Sequence, residues 1–323
     1  MIQDPSDRST HAAYQTVNGH PAKVEAAGLS ARSLYDVCFE IRKKVDRFLA
    51  QDPNTALLQN VQARVREAIG VVDEAFQRYE RIRLADTKGT GLEKYPYRIT
   101  AGKTVCEDVR LFSFGSMVEA PTNLCPTGLV LLIIILACLA HRSPKLNKDE
   151  SSNPSSGLSD PMRFPEKFQA VYIVSPHPFS EIDDFVISSS TEYQLDVTRY
   201  ELGMKQGLEA YLADHPDIKA IFVGTRRTDP HGEKLTHFDP TDGGWPDFMR
   251  VHPVIDWHYA EIWAFIRHLE IPYCPLYDQG YTSLGGTKDT QPNPNLKKQD
   301  KKGGFLPAYE LVGDDEERLG RDR

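Results

Sequence analysis

The sequence predicts an α/β protein built on a parallel sheet, and three observations carry that expectation. From about residue 105 onward, short apolar runs of strand character alternate with segments of helical periodicity. The run GLVLLIIILACLA, residues 128–140, is apolar on every face, as an element buried all round must be. The composition is that of a globular chain, with 40% hydrophobic and 26% charged residues in 323, enough for one large domain or two small ones.

The elements follow in order. Residues 1–29 are rich in Ser, Ala, His and Gly without periodicity and predict a disordered lead. Leu34, Val37, Cys38, Ile41, Val45, Phe48 and Leu49 recur at helical spacing, and so do Leu58, Val61, Val65, Ile69, Val72, Phe76, Tyr79 and Ile82. Gln51-Asp52-Pro53-Asn54 breaks the two stripes, so residues 30–85 read as an antiparallel helical pair packed on something larger. VRLFSF (109–114) is a strand, and the apolar run after it a buried helix or strand–helix element. Residues 145–167 are polar and rich in Pro and Ser, a surface insertion. Strands follow at 170–175, 195–200 and 218–224, with helices at 180–193, 204–212 and 257–269. The core spans 100–290 and a tail covers 291–323. In a parallel sheet ligands sit beyond the carboxyl ends of strands, which directs attention to the loops after Phe114, Ser175, Tyr200 and Gly224.

Charge and cysteine usage exclude several classes. Lys plus Arg number 38 against 46 Asp plus Glu, a net charge of -8, which argues against a nucleic-acid binder while leaving room for a local anion site. The five cysteines (Cys38, Cys106, Cys125, Cys138, Cys274) are odd in number and form no CxxC pair, a reducing-compartment pattern without disulfides or thiolate zinc. The ten histidines make no HxxxH or HExxH pattern. The polar, acid-bearing N-terminus is no secretory h-region, and the 13-residue apolar run falls short of a membrane span. A cytoplasmic protein with no membrane partner is expected; the oligomeric state is not legible.

Three loops and the tail could carry chemistry. GTRRTDPHGE, 224–233, sets Arg226, Arg227 and Asp229 at the edge of the clearest strand. Arginine forks bind phosphate and a neighbouring carboxylate can hold Mg²⁺; a solvated surface turn would use the same residues. DPTDGGWPDFMRVHPVIDWHYAEIW, 239–263, holds all three tryptophans. Its loop residues Trp245, Phe248 and Met249, with Arg250, could wall a planar ring or merely cap the core, whereas Trp257 and Trp263 read as helix packing. GYTSLGGTKDTQPNPNL, 280–296, offers backbone N–H groups and hydroxyls to a phosphate, or is a plain connector. KKQDKK, 297–302, is a solvated charge run. Arg318 and Arg321 share a possible helix face, unless the tail is simply frayed.

The succession GTRRTDPHGE, WPDFMRVHPVIDW, IPYCPLYDQGYTSLGG, PNPNL and AYELVGDDEERLGR resembles the eukaryotic, fungal-type FAD synthases, FMN adenylyltransferases of PAPS-reductase-like (adenine nucleotide alpha hydrolase-like) fold. The resemblance implies a parallel-sheet sandwich with an N-terminal helical pair and a C-terminal extension. It implies a nucleotidyltransferase of FAD biosynthesis, in which the phosphate of FMN attacks the α-phosphate of ATP with Mg²⁺ to give FAD and pyrophosphate. On that resemblance Asp229 matches the family's essential aspartate and a possible metal ligand, and Arg226 and Arg227 face phosphate or flavin. Trp245, Asp247, Phe248 and Arg250 lie beside the flavin, and Arg318 and Arg321 reach back to the phosphates. Tyr281, Ser283 and Gly285, within Tyr281 to Gly286, shape the same cleft. Adenine lies near Ser113 and Phe114, around Phe112 to Phe114 and Tyr172 to Ser175.

One segment departs from the family. Where its phosphate loop reads S-F-N-G-G-K-D, Ser113-Phe114 is followed here by GSMVEAPTNLCPTG, 115–128. Residues 115–127 hold no Lys, Arg or Asp; Glu119 is their only charge, and Pro121 and Pro126 resist a tight nest. Flanks that match on both sides favour translated intron in this segment. The alternative is a catalytically impaired flavin- or nucleotide-binding pseudoenzyme. A PAPS-reductase-like enzyme would need a nucleophilic cysteine in the C-terminal part, and the last cysteine is Cys274.

Overall fold

The computed structural model describes residues 22–23, 32–86, 109–113, 125–141, 164–174, 177–299 and 303–321. The alternation read from the sequence assembles into one seven-stranded sheet. Its strands are β1 (Ala22–Lys23), β2 (Val109–Ser113), β3 (Phe168–Ile173), β4 (Leu195–Tyr200), β5 (Ala220–Val223), β6 (Phe238–Pro240) and β7 (Met249–Val251). The order across the sheet is β1-β4-β3-β2-β5-β7-β6. Neighbours from β4 to β7 run parallel. The edge pairs β1/β4 and β6/β7 run antiparallel. From β2 the chain steps outward to β3 and β4, then crosses back to β5 on the other side. The carboxyl ends of β2 and β5 therefore flank the point where the winding reverses, where such sheets open a crevice.

Among the described residues six α-helices accompany the sheet: α1 (Leu34–Ala50), α2 (Ala56–Asp86), α3 (Pro126–His141), α4 (Ser180–Glu192), α5 (Met204–Asp214) and α6 (Tyr259–His268). Ser33 and Asp36 form a reciprocal capping box that starts α1. Its stripe, Leu34, Val37, Cys38, Ile41, Val45 and Phe48, is buried. Gln62 of α2 donates 2.8 Å hydrogen bonds to the Phe48 and Gln51 carbonyls, closing the last turn of α1. The stripe of α2 is buried at Val61, Val65, Val72, Phe76 and Tyr79, while the side chain of Ile82 lies outside the described residues. The larger object on which both helices pack is α3; α2 also meets α6. Every residue of α3 from Pro126 to Ala140 is buried, which explains a run with no polar face.

The pleat divides the core. Ala170, Tyr172 and Phe222 join α1, α2, α3, α4 and α6 on one face. Val171, Ile173, Ile221 and Val223 meet Leu208 and Tyr211 of α5 on the other.

Several expectations change. Ala22 and Lys23, within the stretch expected to be disordered, pair with Arg199 and Thr198 of β4. Residues 239–263 contain β7 and most of β6, strands of three residues that periodicity cannot reveal. The tail is not helical at Arg318 and Arg321. A 3-10 turn at Asp314–Glu316 gives way to irregular turns, and Gly320 lies so close to residue 291 that a Cβ would meet the Gln291 carbonyl at 2.2 Å. Trp257 and Trp263 are packing residues, edge-on to Phe265 and Tyr277 at 5.6 and 5.3 Å. Phe114, Ser175, Cys106, the altered segment up to residue 124, and the 145–167 insertion up to residue 163 lie outside the described residues.

Candidate active site

The site begins where β5 ends. Gly224 crosses the start of α3, where a Cβ would lie 3.6 Å from Gly128 Cα. The next turn is fixed by Asp229, whose Oδ2 accepts from the Arg226 backbone N–H at 2.8 Å and whose own N–H donates to the Arg226 carbonyl at 3.1 Å. Gly232 closes it; any side chain there would strike the Arg226 carbonyl, 2.1 Å from its Cβ position. The turn folds Arg226 inward until its residue is 3% exposed.

Inside, the Arg226 guanidinium donates to Asp229 Oδ1 at 2.9 Å and to Glu317, and lies 3.7 Å from Asp314. Burial opposes its charge, but the Glu317 and Asp229 carboxylates outweigh that and hold its pKa above the ordinary value. Glu317 is pushed upward by burial, which Arg226 opposes and Asp229 reinforces. Asp314 accepts from the Tyr259 N–H and from His258 Nδ1, both at 2.6 Å, and so ties the tail to the start of α6. Cys125 lies at the N-terminus of α3 within the field of Arg226, Asp229 and Glu317. Its Sγ accepts from the Gly128 N–H at 3.3 Å, and burial pushes the thiol up to about 11.

The tail and the glycine-rich loop join this cluster. Thr282 Oγ1 donates to the Glu317 carbonyl at 2.6 Å. The fully buried Asn293 donates to Thr282 Oγ1 at 2.9 Å and to the Glu316 carbonyl at 2.8 Å. Arg321 lies over Gly285, where a Cβ would meet its Nη2 at 2.2 Å, and 3.5 Å from Asp289. Tyr281 packs edge-on against Phe179 at 5.5 Å, and Ser283 is half-buried. The Arg318 carbonyl accepts from the Arg321 N–H at 3.0 Å.

Other expected residues sit elsewhere. Arg227 turns outward, its fork on both oxygens of Asp256 at 2.6 and 3.2 Å and its Nη1 on the Leu235 carbonyl at 2.7 Å. Trp245 and Phe248 pack with the α5 core, and Asp247 is exposed. Arg250 is buried, donating to the Pro240 carbonyl at 2.8 Å and Asp242 at 3.3 Å. Ser113 is described in backbone only, as the last residue of β2.

Three residues escaped the sequence reading as site residues, Asp314, Glu317 and Asn293, whereas Thr282 lies in the loop already read as offering hydroxyls. The partners of those three lie far away in sequence, so only the order of motifs hinted at them. His252 is a fourth. Both its ring nitrogens are buried without hydrogen-bond geometry to any partner, the Val223 carbonyl being near, and burial, then Arg250, lower its pKa to about 4.

Among the described residues one cluster has three metal-capable side chains close together: Glu67, His237 and Asp256. Its carboxylates are already engaged by Arg64 and Arg227, so it reads as an ion-pair network. No described helix is long and apolar enough to cross a membrane.

Residues 204–292 match the phosphoadenosine phosphosulfate reductase domain. A probable FAD synthase of Schizosaccharomyces pombe is 39% identical over 191 residues, covering 59% of this chain and 67% of the relative. The chain belongs to the FAD synthase family. The flavin adenine dinucleotide synthase of Saccharomyces cerevisiae is 33% identical over 191 residues, 57% of this chain and 60% of that protein. The chain spans 33% of a Caenorhabditis elegans probable FAD synthase, at 37% identity. Crystal structures of Candida glabrata FMN adenylyltransferase with FAD and pyrophosphate and of yeast FAD synthetase with FAD superpose with TM-scores of 0.71 and 0.68 at 23% and 22% identity. They cover 92% and 90% of this chain, and 99% and 100% of theirs. The fold is therefore that of the family, PAPS-reductase-like with a mixed sheet.

Proposed function

We propose that this chain is an FMN adenylyltransferase, joining FMN and ATP into FAD and pyrophosphate. The observation that carries the proposal is the buried Arg226–Asp229–Glu317 cluster at the carboxyl edge of β5, with the arginine-bearing tail docked on it. An oxygen of the FMN phosphate bonds to the α-phosphorus of ATP. The bond from that phosphorus to the bridging oxygen breaks, and pyrophosphate leaves with the electron pair. Such a transfer gathers phosphates of two substrates in one place, so its barrier falls through positioning and charge compensation. Asp229 and Glu317 hold Arg226, while Arg318 and Arg321 offset phosphate charge. Tyr281, Ser283 and Gly285, in the loop over which the tail docks, shape the cleft.

Mg²⁺ finds no cage among the described residues. Both Asp229 oxygens are on Arg226, and Asp314 and Glu317 face the same guanidinium, so this cluster offers Mg²⁺ no carboxylate clear of an arginine. The described cysteines are all free thiols, which supports a cytoplasmic setting. A second reading, a flavin binder without turnover, draws on Cys125 occupying a first-turn N–H of α3 where anions dock, and on the altered 115–128 segment.

The test is chromatographic: the 323-residue chain is incubated with FMN, ATP and Mg²⁺ and FAD is measured, beside Asp229→Ala. FAD from the parent and a loss of about 100-fold or more in a folded Asp229→Ala is the expected result, the size seen when a preorganised polar group is removed. Flavin binding with no FAD from the parent would establish the binder. Equal turnover by both proteins would remove Asp229 from the mechanism.

A further inference from the structure

We propose that Glu317 is the positioning residue that docks the C-terminal segment onto the Arg226–Asp229 turn and so sets Arg318 and Arg321 over the site. What those arginines do there rests on the adenylyltransferase reading; the docking does not.

Apolar burial cannot hold this segment. Among its described residues after Leu311 no large apolar side chain is buried, and Val312 and Leu319 are 76% and 44% exposed. Regular backbone holds it only at its end, where the Gln291 N–H donates to the Gly320 carbonyl at 2.8 Å and Arg321 bridges Thr290; its described helical piece is the 3-10 turn Asp314–Glu316. Its anchors are polar: Asp314 at the start of α6, Gly320 and Arg321 beside residues 289–291, and between them Glu317, which alone among them reaches the Arg226–Asp229 turn by a hydrogen bond. The carboxylate meets Arg226, 91 residues earlier in the chain. The Glu317 carbonyl accepts from Thr282, and the preceding carbonyl from buried Asn293, so backbone and side chain are gripped from different elements.

The charge count sharpens the point. Asp229 alone pairs Arg226 within its own turn, yet Glu317 and Asp314 add two more carboxylates to one buried guanidinium. Surplus negative charge in a buried place costs stability rather than adding it. A surplus maintained beside a candidate active site therefore points to placement, and what Glu317 places is its neighbour Arg318 and, three residues further, Arg321 over Gly285.

The experiment separates docking from catalysis. Glu317→Gln keeps the shape and removes the charge; Glu317→Asp keeps the charge; Thr282→Val frees the Glu317 carbonyl and leaves every charge in place. Native digestion with trypsin, read by intact mass without ligand, follows cleavage after Arg318. We expect cleavage about tenfold faster in Glu317→Gln and in Thr282→Val, with Glu317→Asp within about threefold of the parent, because proteolysis follows the population of the opened segment. Calorimetry should show inorganic pyrophosphate bound about tenfold more weakly by Glu317→Gln while riboflavin, which has no phosphate, binds as to the parent. A general loosening would not give that split. Equal protection in the parent and in Glu317→Gln, or equal loss of both ligands, overturns the proposal. If Glu317→Gln fails to fold, Thr282→Val and Glu317→Asp decide by the same digestion. No FAD from the parent would end the adenylyltransferase reading alone, and the digestion would still decide whether Glu317 docks the segment.

Discussion

Arg226 and Arg227 are adjacent, chemically identical, and placed in opposite environments. Arg226 is buried among Asp229, Asp314 and Glu317, whereas Arg227 lies at the surface on Asp256. The cause is local. The Asp229 turn and the glycine at 232 send one side chain beneath the tail, and the next residue of the chain must then point away. A pair of arginines at a strand edge is thus not a double phosphate clamp by default. One can be consumed by architecture, and burial decides what each is worth.

The largest effect should follow from removing the inner arginine. Arg226→Met leaves Asp229 and Glu317 facing each other without their cation, and breaking a buried pair from one side costs about 3–5 kcal/mol. A urea midpoint should show it as a clear loss of stability together with loss of FAD formation. An unchanged midpoint would mean that the carboxylates find other partners and that the cluster is not held by Arg226.

A smaller effect concerns His252, which shares the strand-edge region yet belongs to neither arginine. Its folded pKa of about 4 lies below the unfolded value of 6.5, mainly through burial. The unfolded chain therefore takes up the proton first as the solution is acidified. Stability contributed by the neutral ring is present above pH 6.5 and is lost as pH falls toward 4. Between pH 7 and 5 this amounts to about 2 kcal/mol, and His252→Phe should flatten that part of the pH dependence. An identical profile in both proteins would place the acid sensitivity elsewhere.

The same contrast shows what could be read from the sequence. The alternation of strands and helices was legible because burial imposes a period on each element, and α3 because it has no polar face at all. The strands β6 and β7, three residues each, are too short to show a period and exist because β5 offers a parallel edge to Met249–Val251. Asp229 and Arg226 stood out because they lie together at a strand end. Glu317 did not, since its partner is 91 residues away and nothing local distinguishes it from Glu316 beside it. The spacing of Arg318 and Arg321 suggested a helix face, but the approach of Gly320 to Gln291 excludes that backbone. Sequence pattern reports periodic burial well and long-range pairing of charges poorly, because a charge pair needs only one contact to form.

The smallest effect expected is also the sharpest test of the two arginines. Arg227 has 42% of its side chain exposed, and its pairing with Asp256 is a surface ion pair. Such pairs contribute about 0–1 kcal/mol, so Arg227→Ala should move the urea midpoint little, with any loss reflecting the hydrogen bond to the Leu235 carbonyl as well. FAD formation should stay within about twofold of the parent, because a guanidinium committed outward supplies no charge to the transferring phosphate. If turnover instead fell by about tenfold or more, Arg227 would have to leave Asp256 when substrates arrive. The outward pairing would then be a resting arrangement, and both arginines would return to the phosphate contacts that the resemblance implies.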